Sequence, residues 1–135
     1  MFIYNTKIKF TDCDPAGVMF FGKIFEICHN AYQEMIDSFN LKEDFWTSKK
    51  FAVPIIHSEA DYLKPLVTGD KIVIEITVSN LKSFMFDLYY ECKNEKGEIC
   101  DRIRTTHVFI DPVTRKKIEM DEELLEKLKI HFRSV

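Results

Sequence analysis

The chain has 135 residues, 46% of them hydrophobic and 30% charged, which predicts one domain over residues 1–135 with a core of its own. Its net charge of −3 argues against a nucleic-acid partner, and an anionic ligand would need a local basic patch. The four cysteines are widely scattered, and neither a signal peptide nor an apolar run of ~18 residues is visible, so we expect a soluble cytoplasmic protein with free thiols and no membrane contact.

The first predicted elements are a strand, a turn and a long helix. Weak alternation of apolar residues predicts a strand over 2–10. The Asp-Pro and Ala-Gly steps that follow are typical of a turn. From Gly22 to Phe39 the apolar residues recur at three- and four-residue steps, and they cover nearly half of the helix circumference. A surface helix needs less, so we expect a sheet to wrap around this one.

Four extended segments follow, at 53–66, 70–81, 84–93 and 98–110. Period-two alternation is clearest in the second segment, where four aliphatic residues from Ile72 to Val78 share one face. Asn94 to Gly97 forms the turn between the last two segments, and a short amphipathic helix with an acidic first turn at 121–123 closes the chain. The order predicts an α+β fold with one antiparallel β-sheet wrapped around one long central helix, and a short C-terminal helix.

The segment from Thr11 to Gly22 joins the first strand to this helix, and it carries two carboxylates in a tight turn. A calcium loop fits its first positions, but Ala16 and Lys23 stand where oxygen ligands are needed, so we reject that interpretation. A structural turn with Asp14 as a helix cap remains an alternative on the residues alone.

The same segment resembles the signature of the 4-hydroxybenzoyl-CoA thioesterase family of hotdog-fold proteins, an Asp-x-Asp-x-Ala-Gly turn followed by two aromatics. Further similarities lie in order along nearly the whole chain, and they are Val53–Ile56, Asp61–Leu66, Gly69–Ile72, Leu81–Phe84 and Thr106–Asp111. The resemblance implies the hotdog fold and hydrolysis of an acyl-CoA thioester, with no metal and no cofactor.

The resemblance also assigns catalytic roles. Asp14 would attack the thioester carbonyl as a nucleophile or activate water as a general base, and the sequence does not separate these routes. The backbone N–H of Phe21, at the helix N-terminus, would polarise the carbonyl. Asp12 is predicted to brace the turn by accepting backbone hydrogen bonds.

Two separate segments, Ile27–Tyr32 and Pro54–His57, are similar to the 1,4-dihydroxy-2-naphthoyl-CoA hydrolase branch of this family. Asn30 departs from the branch, which has an acidic residue there, and Asp-Cys-Asp-Pro replaces Asp-Thr-Asp-Ala. The branch implies a flat hydroxylated aromatic acyl group and a role in menaquinone biosynthesis. His29 and His57 would then contact the acyl hydroxyls, although both histidines fit purely structural roles as well.

The remaining substrate-binding residues implied by the resemblance are Gly17 and Phe20 in the turn, with Lys82 and Ser83 in a later turn that reaches coenzyme A. Lys82 would face the phosphates, although basic residues are more often only solvated. His107, in the last strand, is predicted to be structural. An exposed sheet edge and the aromatic excess predict a homodimer or homotetramer with sites between subunits.

Three alternatives to a naphthoyl-CoA hydrolase remain open. One is a broad thioesterase for short- or medium-chain acyl-CoA or acyl carrier protein. Another is a hotdog dehydratase, which would need a His–acid pair that this turn lacks. The third is a non-catalytic acyl-CoA-binding module, which would keep the groove without needing Asp14.

Overall fold

A computed structural model, which describes residues 1–134, shows one antiparallel sheet with a helix on one face. Its elements are β1 (Phe2–Lys7), α1 (Lys23–Ser38), β2 (Ile55–Tyr62), β3 (Lys71–Lys82), β4 (Met85–Lys93), β5 (Ile99–Val108) and α2 (Glu122–Ile130). The strand order is β1-β3-β4-β5-β2, and every neighbouring pair is antiparallel. The predicted α+β class and element order are confirmed.

The core lies between α1 and the sheet. On β3 the predicted face from Ile72 to Val78 is buried, with no residue of that alternating set more than 1% exposed. The apolar stripe of α1 is buried against this side of the sheet. Its buried residues are Ile24, Ile27, Cys28, Ala31, Tyr32, Met35 and Ile36.

His107 of β5 belongs to this core. Its ring stacks on Phe86 at 4.7 Å between centroids, and Tyr32 of α1 lies at the same distance on another side. Its Nε2 is 2.8 Å from the Thr105 hydroxyl. Burial, with a smaller contribution from His29, lowers the pKa of His107 to about 3, so the ring is neutral near pH 7. The predicted structural role of His107 is confirmed.

β1 and β2 end earlier than the sequence pattern predicts, and β5 is shorter than predicted as well. β1 ends at Lys7, because the chain folds into a 3₁₀ turn over Phe10–Asp12 and leaves Phe10 82% exposed. β2 ends at Tyr62, because the next two backbone N–H groups both turn to the Cys100 carbonyl oxygen and Pro65 has no N–H to donate.

β1 and β2 are the edges of the sheet, and β2 is the more exposed edge. Every residue of β2 except Ala60 is exposed, although the strand pairs along its length with β5. Ile56, at the bulge that interrupts this pairing, is 63% exposed. An uncovered edge with apolar side chains is a surface on which a further strand can pair.

α2 follows the acidic segment predicted to start it. The Asp121 carboxylate accepts a hydrogen bond of 2.9 Å from the Leu124 N–H and so caps the helix. Leu124 and Leu128 of this helix are buried, whereas Phe132 lies beyond the helix end and is 47% exposed. Neither this helix nor any other in residues 1–134 is long and apolar enough to cross a membrane.

Candidate active site

The turn between β1 and α1 is closed by its own backbone. The Asp14 N–H donates to the Val18 carbonyl oxygen at 2.9 Å, and the Gly17 N–H donates to the Asp14 carbonyl oxygen at 2.9 Å. Gly17 has a φ of +83°, a conformation that residues with a Cβ rarely adopt. The glycine predicted to be in the site therefore shapes the turn that presents Asp14.

The Asp14 carboxylate is exposed and only partly engaged. Its Oδ1 accepts hydrogen bonds from the Ala16 N–H at 2.9 Å and the Val18 N–H at 3.4 Å. Its Oδ2 has no hydrogen-bond partner within residues 1–134. One oxygen thus holds the turn, as the structural alternative requires, and the other is free to meet a substrate or a water.

Asp12 braces the turn as predicted. Its Oδ2 accepts from the Lys9 N–H at 2.8 Å, and its backbone carbonyl accepts from the Phe20 N–H at 2.8 Å. The second bond fixes Phe20 immediately before the residue predicted to polarise the substrate. Asp12 therefore holds the two ends of the turn together.

Phe21 lies two residues before the start of α1. Its backbone N–H has no acceptor within the described part of the chain, and its carbonyl oxygen accepts a hydrogen bond of 2.6 Å from the Tyr62 hydroxyl. A Cβ on Gly22 would lie 3.1 Å from the Phe20 ring, so a small residue is favoured there. An unpaired N–H at a helix N-terminus is suited to an anion or a developing oxyanion.

Two cavities lie against the β2–β5 side of the sheet, one beside the turn before α1 and the other beside α1. The first, of about 310 Å³, has mainly apolar walls and is lined by Val18, Met19, Phe21, Tyr62, Leu63, Lys64, Pro65, Leu66 and Asp101. The second, of about 360 Å³, is lined by Phe25, Glu26, Cys28, His29, Asn30, Ile55, Ser58, Tyr90 and Thr105. We call them the Phe21 cavity and the His29 cavity.

The two cavities follow one another along three elements with an offset of four residues. Phe21 lines one cavity and Phe25 the other, and on β5 Asp101 and Thr105 are related in the same way. Tyr62 and Ser58 repeat the offset on β2. The cavities are therefore neighbours along the β2–β5 side of the sheet, the first at the turn and the second beside α1.

The predicted site residues fall into separate places in one chain. Asp14, Gly17, Phe20 and Phe21 share the turn, and His29 lines the neighbouring cavity named after it. Phe20, predicted as a substrate-binding residue, lies beside the Phe21 ring at 4.7 Å between centroids and lines neither cavity.

His57 lies on the sheet face opposite to α1. It pairs with Thr106, whose neighbours Thr105 and His107 point into the core, and directly opposite residues share a face. Its Nε2 is 3.3 Å from a Glu59 carboxylate oxygen. Within one protomer, His57 and His29 therefore cannot contact the same acyl group.

Lys82 and Ser83 lie at the turn between β3 and β4 and line neither cavity. The Ser83 carbonyl accepts from the Met120 N–H at 2.7 Å, and the Lys117 ammonium lies 4.9 Å from the centre of the Phe84 ring. Lys117 thus lies at the same end of the sheet as Lys82 and Ser83.

Tyr62 and Asp101 line the Phe21 cavity and were not predicted as site residues. Asp101 is 1% exposed, and its Oδ2 is buried without a partner in the described structure. Burial raises the pKa of the Asp101 carboxyl to about 6. Three buried thiols, of Cys28, Cys92 and Cys100, also have raised pKa values, chiefly through burial and further through the nearby Asp101 charge.

Comparison with known families gives a match over residues 8–128 to the thioesterase-like superfamily. The chain belongs to this superfamily. Relatives named 1,4-dihydroxy-2-naphthoyl-CoA hydrolase include one from Nostoc punctiforme, 37% identical over 98% of this chain and 89% of that protein. Another from Rippkaea orientalis is 32% identical over 93% of this chain and 94% of its own. The resemblance to thioesterases expected from the sequence is confirmed.

Two solved structures superpose closely on this chain. A 1,4-dihydroxy-2-naphthoyl-CoA thioesterase from Synechocystis gives a TM-score of 0.89 at 27% identity, covering 95% of both chains. A Staphylococcus aureus protein solved in complex with CoA gives 0.88 at 13% identity over 99% of this chain and 87% of that one, a likeness of fold. The chain therefore has the hotdog thioesterase fold, with a five-stranded antiparallel sheet and two helices.

Proposed function

We propose that this protein hydrolyses an acyl-CoA thioester to a carboxylic acid and free coenzyme A, with 1,4-dihydroxy-2-naphthoyl-CoA as the preferred substrate. The observation that carries the proposal is the unpaired Phe21 N–H at the start of α1, next to a turn that exposes one free oxygen of Asp14. The names of relatives at 30% identity or more support the acyl group.

In the proposed reaction the thioester carbonyl oxygen accepts a hydrogen bond from the Phe21 N–H. The helix N-terminus stabilises the negative charge that develops on that oxygen. Asp14 then acts by one of two routes. As a nucleophile it forms an anhydride that water cleaves, and as a general base it takes a proton from the attacking water. Either route consumes one water and releases the acid and the coenzyme A thiol.

We infer that substrate binding uses the remaining predicted residues in two groups. Gly17 and Phe20 border the thioester, and His29 contacts the far part of the acyl ring from the His29 cavity. His57, Lys82 and Ser83 lie away from these cavities in the same chain. They contribute to a site only when a second subunit brings them to it, with Lys82 facing the coenzyme A phosphates.

We further propose a homodimer, or a homotetramer built from dimers, joined along β2. The exposure of β2 and its unpaired edge support this arrangement. In such an assembly α1 would serve as the central helix of each subunit, with the joined sheets wrapped around the two helices. Substrate sites would then lie between subunits.

The decisive experiment is a thiol-release assay on the purified protein with naphthoyl, benzoyl, butyryl and palmitoyl thioesters of coenzyme A. We expect release of the thiol, fastest with the hydroxylated naphthoyl substrate. Faster release from straight-chain substrates, or from acyl carrier protein, would identify a broad thioesterase. Binding without release would identify a non-catalytic module, and loss of water from a hydroxyacyl chain would identify a dehydratase.

A further inference from the structure

Asp101 is a buried carboxyl group that takes no part in the catalytic roles proposed above. It lies on the inner face of β5, between Tyr62 of β2 and Cys92 of β4 in the sheet register. It is 1% exposed, forms no salt bridge within residues 1–134, and leaves its Oδ2 unpaired. Buried polar groups in folded proteins nearly always have partners, so this exception needs a physical explanation.

The surroundings of Asp101 do not neutralise it. The titratable groups that face it are the thiols of Cys28 on α1, Cys92 on β4 and Cys100 on β5, with the Tyr62 hydroxyl on β2. That hydroxyl donates to the Phe21 carbonyl instead. The cationic residue of the cavity, Lys64, is paired with Glu98.

The position of Asp101 relative to the proposed chemistry supplies the explanation. Asp101 lines the Phe21 cavity, whose other walls are mainly apolar and whose volume of about 310 Å³ suits a small ring system. A substrate carbonyl at the Phe21 N–H would have one of its two substituents next to this cavity, and we assign the acyl group to it. Asp101 is the one carboxyl among the residues that line the cavity, and a polar group on the acyl moiety would hydrogen-bond to it.

We propose that Asp101 is a specificity-determining residue that accepts a hydrogen bond from a phenolic hydroxyl of the acyl group bound in the Phe21 cavity. The proposal rests on the thioesterase function proposed above. A hydroxyl donating to a carboxylate makes a strong, charge-assisted bond. A site built around such a bond discriminates against analogues that lack the hydroxyl, because the buried acceptor is then left unpaired.

The test compares catalytic efficiency on 1,4-dihydroxy-2-naphthoyl-CoA with that on 2-naphthoyl-CoA, and takes the ratio of the two. In Asp101→Leu, which removes both oxygens at similar size, we expect this ratio to fall about tenfold or more. In Asp101→Asn, which keeps a neutral acceptor, the ratio should fall less, by about threefold or more. Asp87→Asn, on the opposite sheet face, is the matched control and should leave the ratio unchanged.

A merely structural role for Asp101 would lower both efficiencies together and leave the ratio alone. Ratios within about twofold of the unmodified protein in the Asp101 variants, with turnover still measurable, would overturn the proposal and leave the thioesterase function standing. If Asp101→Leu does not fold, the Asp101→Asn ratio decides. If the unmodified protein cleaves neither substrate, it is the proposed function that fails.

Discussion

The Tyr62 hydroxyl donates a hydrogen bond of 2.6 Å to the backbone carbonyl oxygen of Phe21. This bond joins the end of β2 to the residue whose N–H is left unpaired at the start of α1. The peptide that would meet the thioester is therefore held by an edge strand 41 positions away in the chain. Just before Phe21, the Phe20 N–H donates to the Asp12 carbonyl oxygen and the Met19 N–H donates to the Leu66 carbonyl oxygen.

Tyr62→Phe tests Tyr62 as a positioning residue. The ring is kept, so the cavity wall and KM should change little, whereas kcat should fall about tenfold because Phe21 is less firmly oriented. We expect a loss of about 1 kcal/mol in the free energy of unfolding. Steady-state kinetics with denaturant titration measure both. A rise in KM at constant kcat would contradict the positioning role.

Asp14→Asn tests the catalytic carboxylate. The amide keeps an oxygen that can accept from the Ala16 and Val18 N–H groups, so the turn and the stability should survive. The lost negative charge should lower kcat by ~100-fold or more. The matched control is Asp12→Asn, which should retain its bond to the Lys9 N–H and lose less than about tenfold. Near-normal turnover by purified Asp14→Asn would refute the assignment.

The subunit arrangement can be tested at Ile56, which is 63% exposed on the β2 edge. Ile56→Lys places a charge where we propose that a second β2 strand pairs. Light scattering coupled to size exclusion should show a dimer or tetramer for the unmodified protein and smaller species for the variant. Activity should fall in parallel. A fully active monomer at micromolar concentration would rule out sites shared between subunits.

The two exposed histidines should differ in their effect on substrate preference. His29 lines a cavity beside α1, and His57 lies on the opposite sheet face. His29→Ala should lower the preference for the hydroxylated naphthoyl over the butyryl substrate by about tenfold. His57→Ala should lower this preference only if His57 reaches the site of a neighbouring subunit. The effect of His57→Ala should therefore disappear in an Ile56→Lys background. Equal preferences in all variants would mean that both histidines only support structure.

Asp101 predicts a specific pH dependence of stability. Its folded pKa of about 6 lies above its ordinary value of 3.8, so between these values the native state keeps a proton that the unfolded chain releases. Ionisation of Asp101 therefore lowers the free energy of unfolding little below about pH 4 and progressively more as the pH rises. Above about pH 6 the loss reaches its full amount. Asp101→Asn should gain more stability at pH 8 than at pH 4, by on the order of 2 kcal/mol. Denaturant titrations at the two pH values measure this, and an equal change at both would contradict it.

The sequence predicts those parts of the fold that local periodicity encodes. The stripe of α1 and the alternation of β3 each repeat over enough residues to identify the buried face, and both are found as predicted. Alternation with Ile103 and Thr105 also puts Asp101 on the inner face of β5. A charged residue is nevertheless expected at the surface, and only the packed structure shows it buried.

Contacts between distant segments could not be predicted from the sequence. The Tyr62 to Phe21 hydrogen bond and the shared cavity depend on how β2 lies against α1, which no short motif specifies. The end of β1 was missed for a related reason. Phe10 fits the strand alternation, but it lies in the 3₁₀ turn that ends the strand, and its ring is exposed to solvent.

The burial of three cysteines has a practical consequence for chemical labelling. Cys28, Cys92 and Cys100 are enclosed in the core, with thiols that burial keeps protonated at neutral pH. Cys13, which is partly exposed and directly precedes Asp14, is the cysteine that a maleimide or a disulfide reagent would meet first in the native protein. The folded chain should therefore react with about one equivalent of reagent. Because that sulfur adjoins the proposed catalytic residue, the labelling rate should fall when a substrate analogue occupies the turn, giving a measure of occupancy that needs no turnover.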